Sequence, residues 1–187
     1  MKQETERQAI HFAIGTAYII AIYLLPKETA IPLLLGIFAI GSFISYTHQK
    51  GIRLPLVKEI ILLVEREKEM HLPGKGALSF TLGILLSSII FYPFDKLVLI
   101  GATTALTFGD GISTLMGKRY GKTKTIGERT LEGTITGIIG ATISLAIFFP
   151  IEIALPTAIF AMLAEYLPVN DNYTIPIVAG AILLLIL

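Results

Sequence analysis

The stretch "TFGDGISTLMGKRYGKTKTIGERTLEGTITG" (107–137) opens inside one apolar run and closes inside another. Between the runs sit Lys118, Arg119, Lys122, Lys124 and Arg129, punctuated by Gly117, Gly121 and Gly127. One acid, Asp110, lies inside the first run, and Glu132 stands at the mouth of the second. How the two flanks are read decides the fold class. The basic, glycine-relieved loop between them then carries the functional question.

Composition settles the flanks. Hydrophobic residues make up 53% of the 187, charged residues only 16%, and the mean hydropathy is +0.75. A soluble chain of that balance could not cover itself with polar surface. Several runs reach the roughly 17–20 apolar residues that a helix needs to cross a hydrocarbon core. Working outward from the loop, the runs are 9–25, 30–47, 76–92, 96–116, 133–149, 151–167 and 174–187, the last being the shortest. The expectation is an all-α, polytopic membrane bundle of about seven transmembrane helices, forming one catalytic domain over 1–187. No linker or repeat divides the chain, and the first run has no small-residue cleavage site. The absence of Cys excludes disulfides and thiolate metal sites. Three dispersed histidines argue against zinc.

Orientation follows from the basic residues. With the N-terminus inside, 13 of the 15 Lys/Arg fall on the cytoplasmic side, in the N-terminal turns and in segments 48–75 and 117–132. Only Lys27 and Lys96 fall outside. The positive-inside rule therefore puts the N-terminus in the cytoplasm and the C-terminus outside. Within 48–75, residues 54–70 place Leu56, Val57, Ile60, Ile61 and Val64 on one face, the pattern of a helix lying on the interface or extending a span.

Charged groups at membrane depth are expensive, about 2.5–3.5 kcal/mol on insertion scales, and mark function. Asp110, Glu132, Glu165 and Asp171 all fall at the ends of runs that the basic residues assign to the cytoplasm. Gly109 and Gly111 flank Asp110, which lets the helix break there or lets another group approach closely. A glycine-relieved backbone with Lys118, Arg119, Lys122 and Lys124 suits a polyanion, although the spacing is not that of a Walker loop. Basic cytoplasmic loops also arise from topology and anionic headgroups alone. Here the loop coincides with Asp110 and Glu132, and carboxylates beside phosphates point to Mg²⁺.

The residues "GDGISTLMGKRYGKTK…RTLEGT" resemble the CTP-dependent lipid kinases that include dolichol kinase and phytol kinase, relatives of the phosphatidate cytidylyltransferases. Gly109, Asp110, Gly117, Gly121, Lys122 and Lys124 match the first part of that family's pattern. Thr130, Glu132 and Gly133 match its K[ST]xEG element, with Arg129 where Lys is usual. "RQAIH" (Arg7 to His11) looks like its N-terminal Arg-x₃-His, and "PGKGALSFTLG" (73–83, with Lys75) like its glycine-rich start of a span. "NDNYTIP" (170–176, with Asp171 and Asn172) is similar to its DDNxxxP ending, Asn170 replacing the first Asp.

The resemblance implies CTP as donor and a membrane lipid alcohol of dolichol, phytol or geranylgeraniol type as acceptor. It implies Asp110, Glu132 and Asp171 as the catalytic, Mg²⁺-binding acids. Gly109, Gly117, Lys118, Gly121, Lys122, Lys124, Arg129, Thr130 and Gly133 would then hold the nucleotide, and Arg7, His11, Lys75, Glu165 and Asn172 are further candidates. The alternative in the same pocket is a cytidylyltransferase acting on a phosphorylated lipid. A transporter or lipid-binding scaffold would instead spread polar residues along a path through the membrane.

Overall fold

The computed structural model describes residues 2–50 and 74–187. Among the described residues every apolar run carries one helix: α1 Lys2–Leu24, α2 Lys27–Gln49, α3 Lys75–Ile90, α4 Lys96–Tyr120, α5 Leu131–Leu145, α6 Ile151–Leu163 and α7 Asp171–Ile186. No β-strand forms among them, so the fold is all-α. By length and composition α2 and α4 could each cross a membrane, and α3, α5 and α7 are shorter apolar helices. The interfacial helix expected over 54–70 lies outside the described residues, as does His71.

Helix ends follow local chemistry. Asp95 caps α4 by accepting from Leu97 N–H at 2.8 Å, Thr130 caps α5 through Gly133 N–H at 3.2 Å, and Asn170 caps α7 through Asn172 N–H at 3.0 Å. The Asn170 cap starts α7 at Asp171, ahead of the apolar run at 174, and gives it 16 residues. Pro26 and Pro150 precede α2 and α6. At its C-terminus α6 tightens into a 3₁₀ turn, Ala164–Tyr166, which carries Glu165.

Of the two outcomes that Gly109 and Gly111 allow, close approach is the one realised: a Cβ on Gly109 would lie 2.6 Å from Met162 Sδ and one on Gly111 2.5 Å from the Phe12 ring. The helix does not break at Asp110. It widens into a π-helical turn over Ala105–Asp110 and runs on to Tyr120. Extra-wide turns of this kind cluster at functional positions, because they free a carbonyl and re-aim side chains. Here Gly111 N–H turns to Phe108 O, while Thr107 O accepts from His11 Nε2 on α1 at 3.1 Å.

α1 runs antiparallel to α4, tied by Glu4 to Lys118 at one end and by Lys96 Nζ to Tyr23 O, 2.8 Å, at the other. The two cations that broke the charge pattern meet at that second end. Lys27 bonds Phe94 O, and Lys27 and Lys96 lie over the rings of Tyr92 and Tyr23. The bundle is therefore polarised, with Asp110, Glu165, Asp171 and most of the described cations at the opposite end.

Two seams of small residues set the packing. Gly109, Ser113 and Gly117 on α4 face Gly133 and Gly137 on α5; a Cβ on Gly133 would lie 2.9 Å from Ser113 O and 3.1 Å from the Gly117 Cα. The second seam is at Gly83 on α3, where a Cβ would overlap the carbonyl oxygen of Asn172 on α7. Pro176 has no N–H to give that carbonyl four residues back, so bare backbone can press against it. These approaches draw the ends of α4, α5 and α7 together. Ile84, Ile100, Leu106, Leu145, Met162 and Ile175 fill the interior behind them with no exposed surface.

Candidate functional site

Two cavities of about 270 Å³ each open at the acidic end. The first lies between α4, the 121–130 loop, α5 and the start of α7, and the second between α1, α3 and the start of α7. They share three walls: Asp110, Thr114 and Asp171.

Asp110 reaches this position from the π-turn and remains 15% exposed. Thr114, one turn on, donates to its Oδ1 at 3.4 Å, and His11 Nε2 stands 4.0 Å from its Oδ2. Asp171 opens α7, where its Oδ1 accepts from Asn172 N–H at 3.0 Å. Glu165 comes from the 3₁₀ turn and is only 3% exposed; its Oε2 accepts from Ser113 Oγ at 3.4 Å. Its Oε1 is buried and has no donor among the described residues. Arg129 enters from the loop between two of these acids, 3.4 Å from Asp171 Oδ2 and 3.9 Å from Glu165 Oε2. Lys118, Thr130, Gly117 and Gly133 complete the first cavity with Ser113 and Glu128.

The 121–130 loop is a small hairpin. Lys124 pairs with Thr130 in an isolated bridge, Thr125 N–H donates to Arg129 O at 3.0 Å, and Gly127 takes the positive φ of 71° that the turn needs. Glu132 holds this hairpin from the first turn of α5. Its carboxylate accepts from Lys122 N–H and Thr123 N–H at 3.1 Å and from Thr123 Oγ1 at 3.0 Å. A hydrogen bond from its own backbone amide, with those of Thr123 and Lys122, holds its carboxyl below the usual range.

Some expected site residues therefore converge and others do not. Asp110, Gly117, Lys118, Arg129, Thr130, Gly133, Glu165 and Asp171 line the first cavity. Arg7, His11, Lys75 and Asn172 line the second, where Asn172 Nδ2 also donates to Ser79 Oγ at 2.9 Å. Glu132, Lys122 and Gly121 border a separate outer depression instead, and Lys124 is exposed on the hairpin. Gly109 faces Met162 and Ala141 in the interior. Two backbone N–H groups of the basic loop, those of Lys122 and Thr123, are taken by Glu132.

Three further residues, Ser113, Glu128 and Glu4, belong to the site or hold its cations without standing out by their spacing in the basic stretch. Glu4 bonds Arg7 through Nε at 3.0 Å and pairs with Lys118, so one carboxylate holds a cation from each cavity. Burial pushes its pKa up, but the hydrogen bonds from Lys118 and Arg7 outweigh that and hold it at about 2. The signal was present in sequence: Glu4, Arg7, Gln8 and His11 recur at helical spacing on one face.

Among the described residues, no three carboxylates or imidazoles converge closely enough to cage a metal ion by themselves. The donor set fits a cation that shares its coordination with a substrate: two wall carboxylates, a third acid with an orphan buried oxygen, and open volume beside them. No family model, curated protein or solved structure matches the chain.

Proposed function

We propose that this chain is a polytopic membrane enzyme that transfers the γ-phosphate of CTP to the hydroxyl of a polyisoprenoid alcohol at the cytoplasmic interface. The observation that carries the reading is the pair of cavities divided by Asp110, Thr114 and Asp171. Donor and acceptor on either side of two carboxylates is the arrangement that an in-line displacement requires.

The membrane reading has support of its own. Ile135, Ile139 and Ile143 recur every fourth residue along α5, Ile147 follows in the turn after it, and all are exposed, Ile147 to 75%. On α2, Leu35, Ile40 and Phe43 are exposed as well. Apolar faces of that extent do not belong in water. The lysine–tyrosine cluster at the far end has the composition of an interfacial belt. With the N-terminus inside, the acidic end faces the cytoplasm, where a nucleotide is found.

Charge supports a metal–nucleotide. The first cavity brings four carboxylates (Asp110, Glu128, Glu165, Asp171) against two cations (Lys118, Arg129). A triphosphate enters such a cavity only with added positive charge. Mg²⁺ held by Asp110 and Asp171, and completed by phosphate oxygens, would supply that charge and draw electron density from the transferred phosphoryl group. Lys118 and Arg129 offset charge on the phosphates, and the capped start of α5 at Thr130 and Gly133 borders them. In the transfer, the acceptor oxygen bonds to the γ-phosphorus as the bond to the β–γ bridging oxygen breaks. CDP leaves with that electron pair, and the hydroxyl proton passes to Asp110 or Asp171. The choice of cytosine comes from the sequence resemblance.

The test offers the purified protein α- and γ-labelled CTP with Mg²⁺ and geranylgeraniol, phytol or dolichol. Label reaching lipid from the γ position alone is the expected result. Transfer of α label to a phosphorylated lipid would make the protein a cytidylyltransferase, and equal use of ATP would remove the nucleotide assignment.

A further inference from the structure

We infer that the cavity between α1 and α3 is the acceptor pocket, receiving the alcohol end of an isoprenoid before transfer and its phosphomonoester afterwards. This rests on the kinase reading for its chemistry, but the pocket assignment has a separate basis in the two linings. Among the described residues, no aliphatic or aromatic side chain lines the first cavity. The second has an apolar wall of Ile10, Ile14 and Phe80 facing the shared carboxylates. A long hydrocarbon chain finds aliphatic and aromatic side chains to lie against in the second, while a nucleotide's phosphates find Lys118 and Arg129 beside an all-polar and glycine lining in the first.

The helices that bound the second cavity meet through side chains. The rings of His11 and Phe80 lie 4.5 Å apart, and Tyr18 and Thr81 share a hydrogen bond of 3.0 Å. An acceptor chain lying along Ile10 and Ile14 would bring its terminal hydroxyl to Asp110 and Asp171. Arg7 and Lys75 stand in the same lining. A neutral alcohol has little use for two cations, but the phosphomonoester it becomes carries two negative charges. Arg7 is already bonded to Glu4, whereas Lys75 pairs with no carboxylate among the described residues. Lys75 is therefore the group that receives the new phosphate.

The full chain in neutral detergent is photolabelled with a diazirine analogue of geranylgeraniol, with unlabelled geranylgeraniol as competitor, and the modified peptides are mapped. Competed labelling on α1 and α3 around Ile10, Ile14 and Phe80 is expected. Competed labelling confined to other helices or to the 121–130 loop overturns the assignment. Ile14→Trp fills the pocket and is expected to weaken labelling at least about tenfold while leaving binding of α-labelled CTP unchanged. Should that variant not fold, Ile10→Trp replaces it, and mapping of the unaltered protein decides in either case. Geranylgeranyl phosphate is expected to displace the probe better than the alcohol does, and Lys75→Ala to reduce that preference about tenfold. An unchanged preference overturns the role of Lys75. If no phosphate moves from CTP to any prenol, the kinase reading falls, while competed labelling of α1 and α3 upholds the lipid pocket.

Discussion

Among the described residues, α2 and α4 are the two helices long and apolar enough to cross a membrane, with 23 and 25 residues, yet they are used in opposite ways. α2 is the more apolar, and only 17% of its most apolar stretch is buried, against 72% for α4. α2 leans on α3 and otherwise presents Leu35, Ile40 and Phe43 outward. α4 turns Thr103, Thr107, Gly109 and Ser113 inward and carries Asp110 on its widened turn. The comparison shows that apolarity measures what a helix could face. Small and polar residues at interior positions mark the helix that packs closely and lines the cavities, because they let backbones come close.

The sharpest way to break this contrast is Asp110→Asn. It removes a proposed metal ligand and a charge together, so phosphoryl transfer is expected to fall at least 10²–10³-fold, the usual effect of losing one electrostatic group. Yield in detergent should hold, since an expensive buried charge is relieved. Retention of more than about a tenth of the rate would return α4 to the structural role of α2.

Packing provides the second test. At Gly137 on α5, an added Cβ would lie 2.8 Å from the Ser113 Cβ and 3.0 Å from Gly109 O, whereas Gly36 on α2 has nothing within 4 Å. Gly137→Leu is expected to lower thermal stability by an amount equivalent to about 1–3 kcal/mol or more, and Gly36→Leu to leave it unchanged. Equal effects in a detergent melt would show that the α4–α5 seam is not a close contact.

A smaller effect belongs to Glu4, which ties α1 to the end of α4. Its carboxyl is held near 2, below the ordinary 4.5, so its stabilisation is fully present above pH 4.5 and fades as pH falls towards 2. Glu4→Gln should lower the melting temperature by a few degrees at pH 7, with the gap to the unaltered protein closing below pH 4.5. A gap that persists or widens in acid would assign the effect to packing. The smallest effect is expected on the outside of the loop. Lys122→Ala and Lys124→Ala should leave the KM for CTP within about twofold, while Arg129→Ala raises it. A large KM increase at Lys124 would mean that the hairpin folds over the nucleotide.

Much of the architecture could be read from the chain. Seven apolar runs became seven helices among the described residues, because the helical period and the length of a run are local properties. The gathering of Asp110, Glu165 and Asp171 at one end was also legible, since the spacing of acids along antiparallel runs fixes the end at which each one emerges. The wide turn ahead of Asp110 was not: two flanking glycines permit a break or a close approach, and neither specifies a π-turn, which the contacts of His11 and Gly15 with Thr107 accompany.

By itself the sequence determined the helical class, the positions of the helices and the polarity of the bundle, all of which follow from composition and period within about twenty residues. Tertiary structure decided the division of labour among the acids. Glu132 and Asp110 look alike in a list of carboxylates near a basic loop, but the hairpin turns its own amides onto Glu132 and leaves Asp110 facing open volume. It also decided that there are two cavities with Asp110, Thr114 and Asp171 between them. Spacing along a helix tells which face a side chain occupies. Which partner meets that face depends on how close the glycine seams let α4, α5 and α7 approach, and on where α1 lies across them.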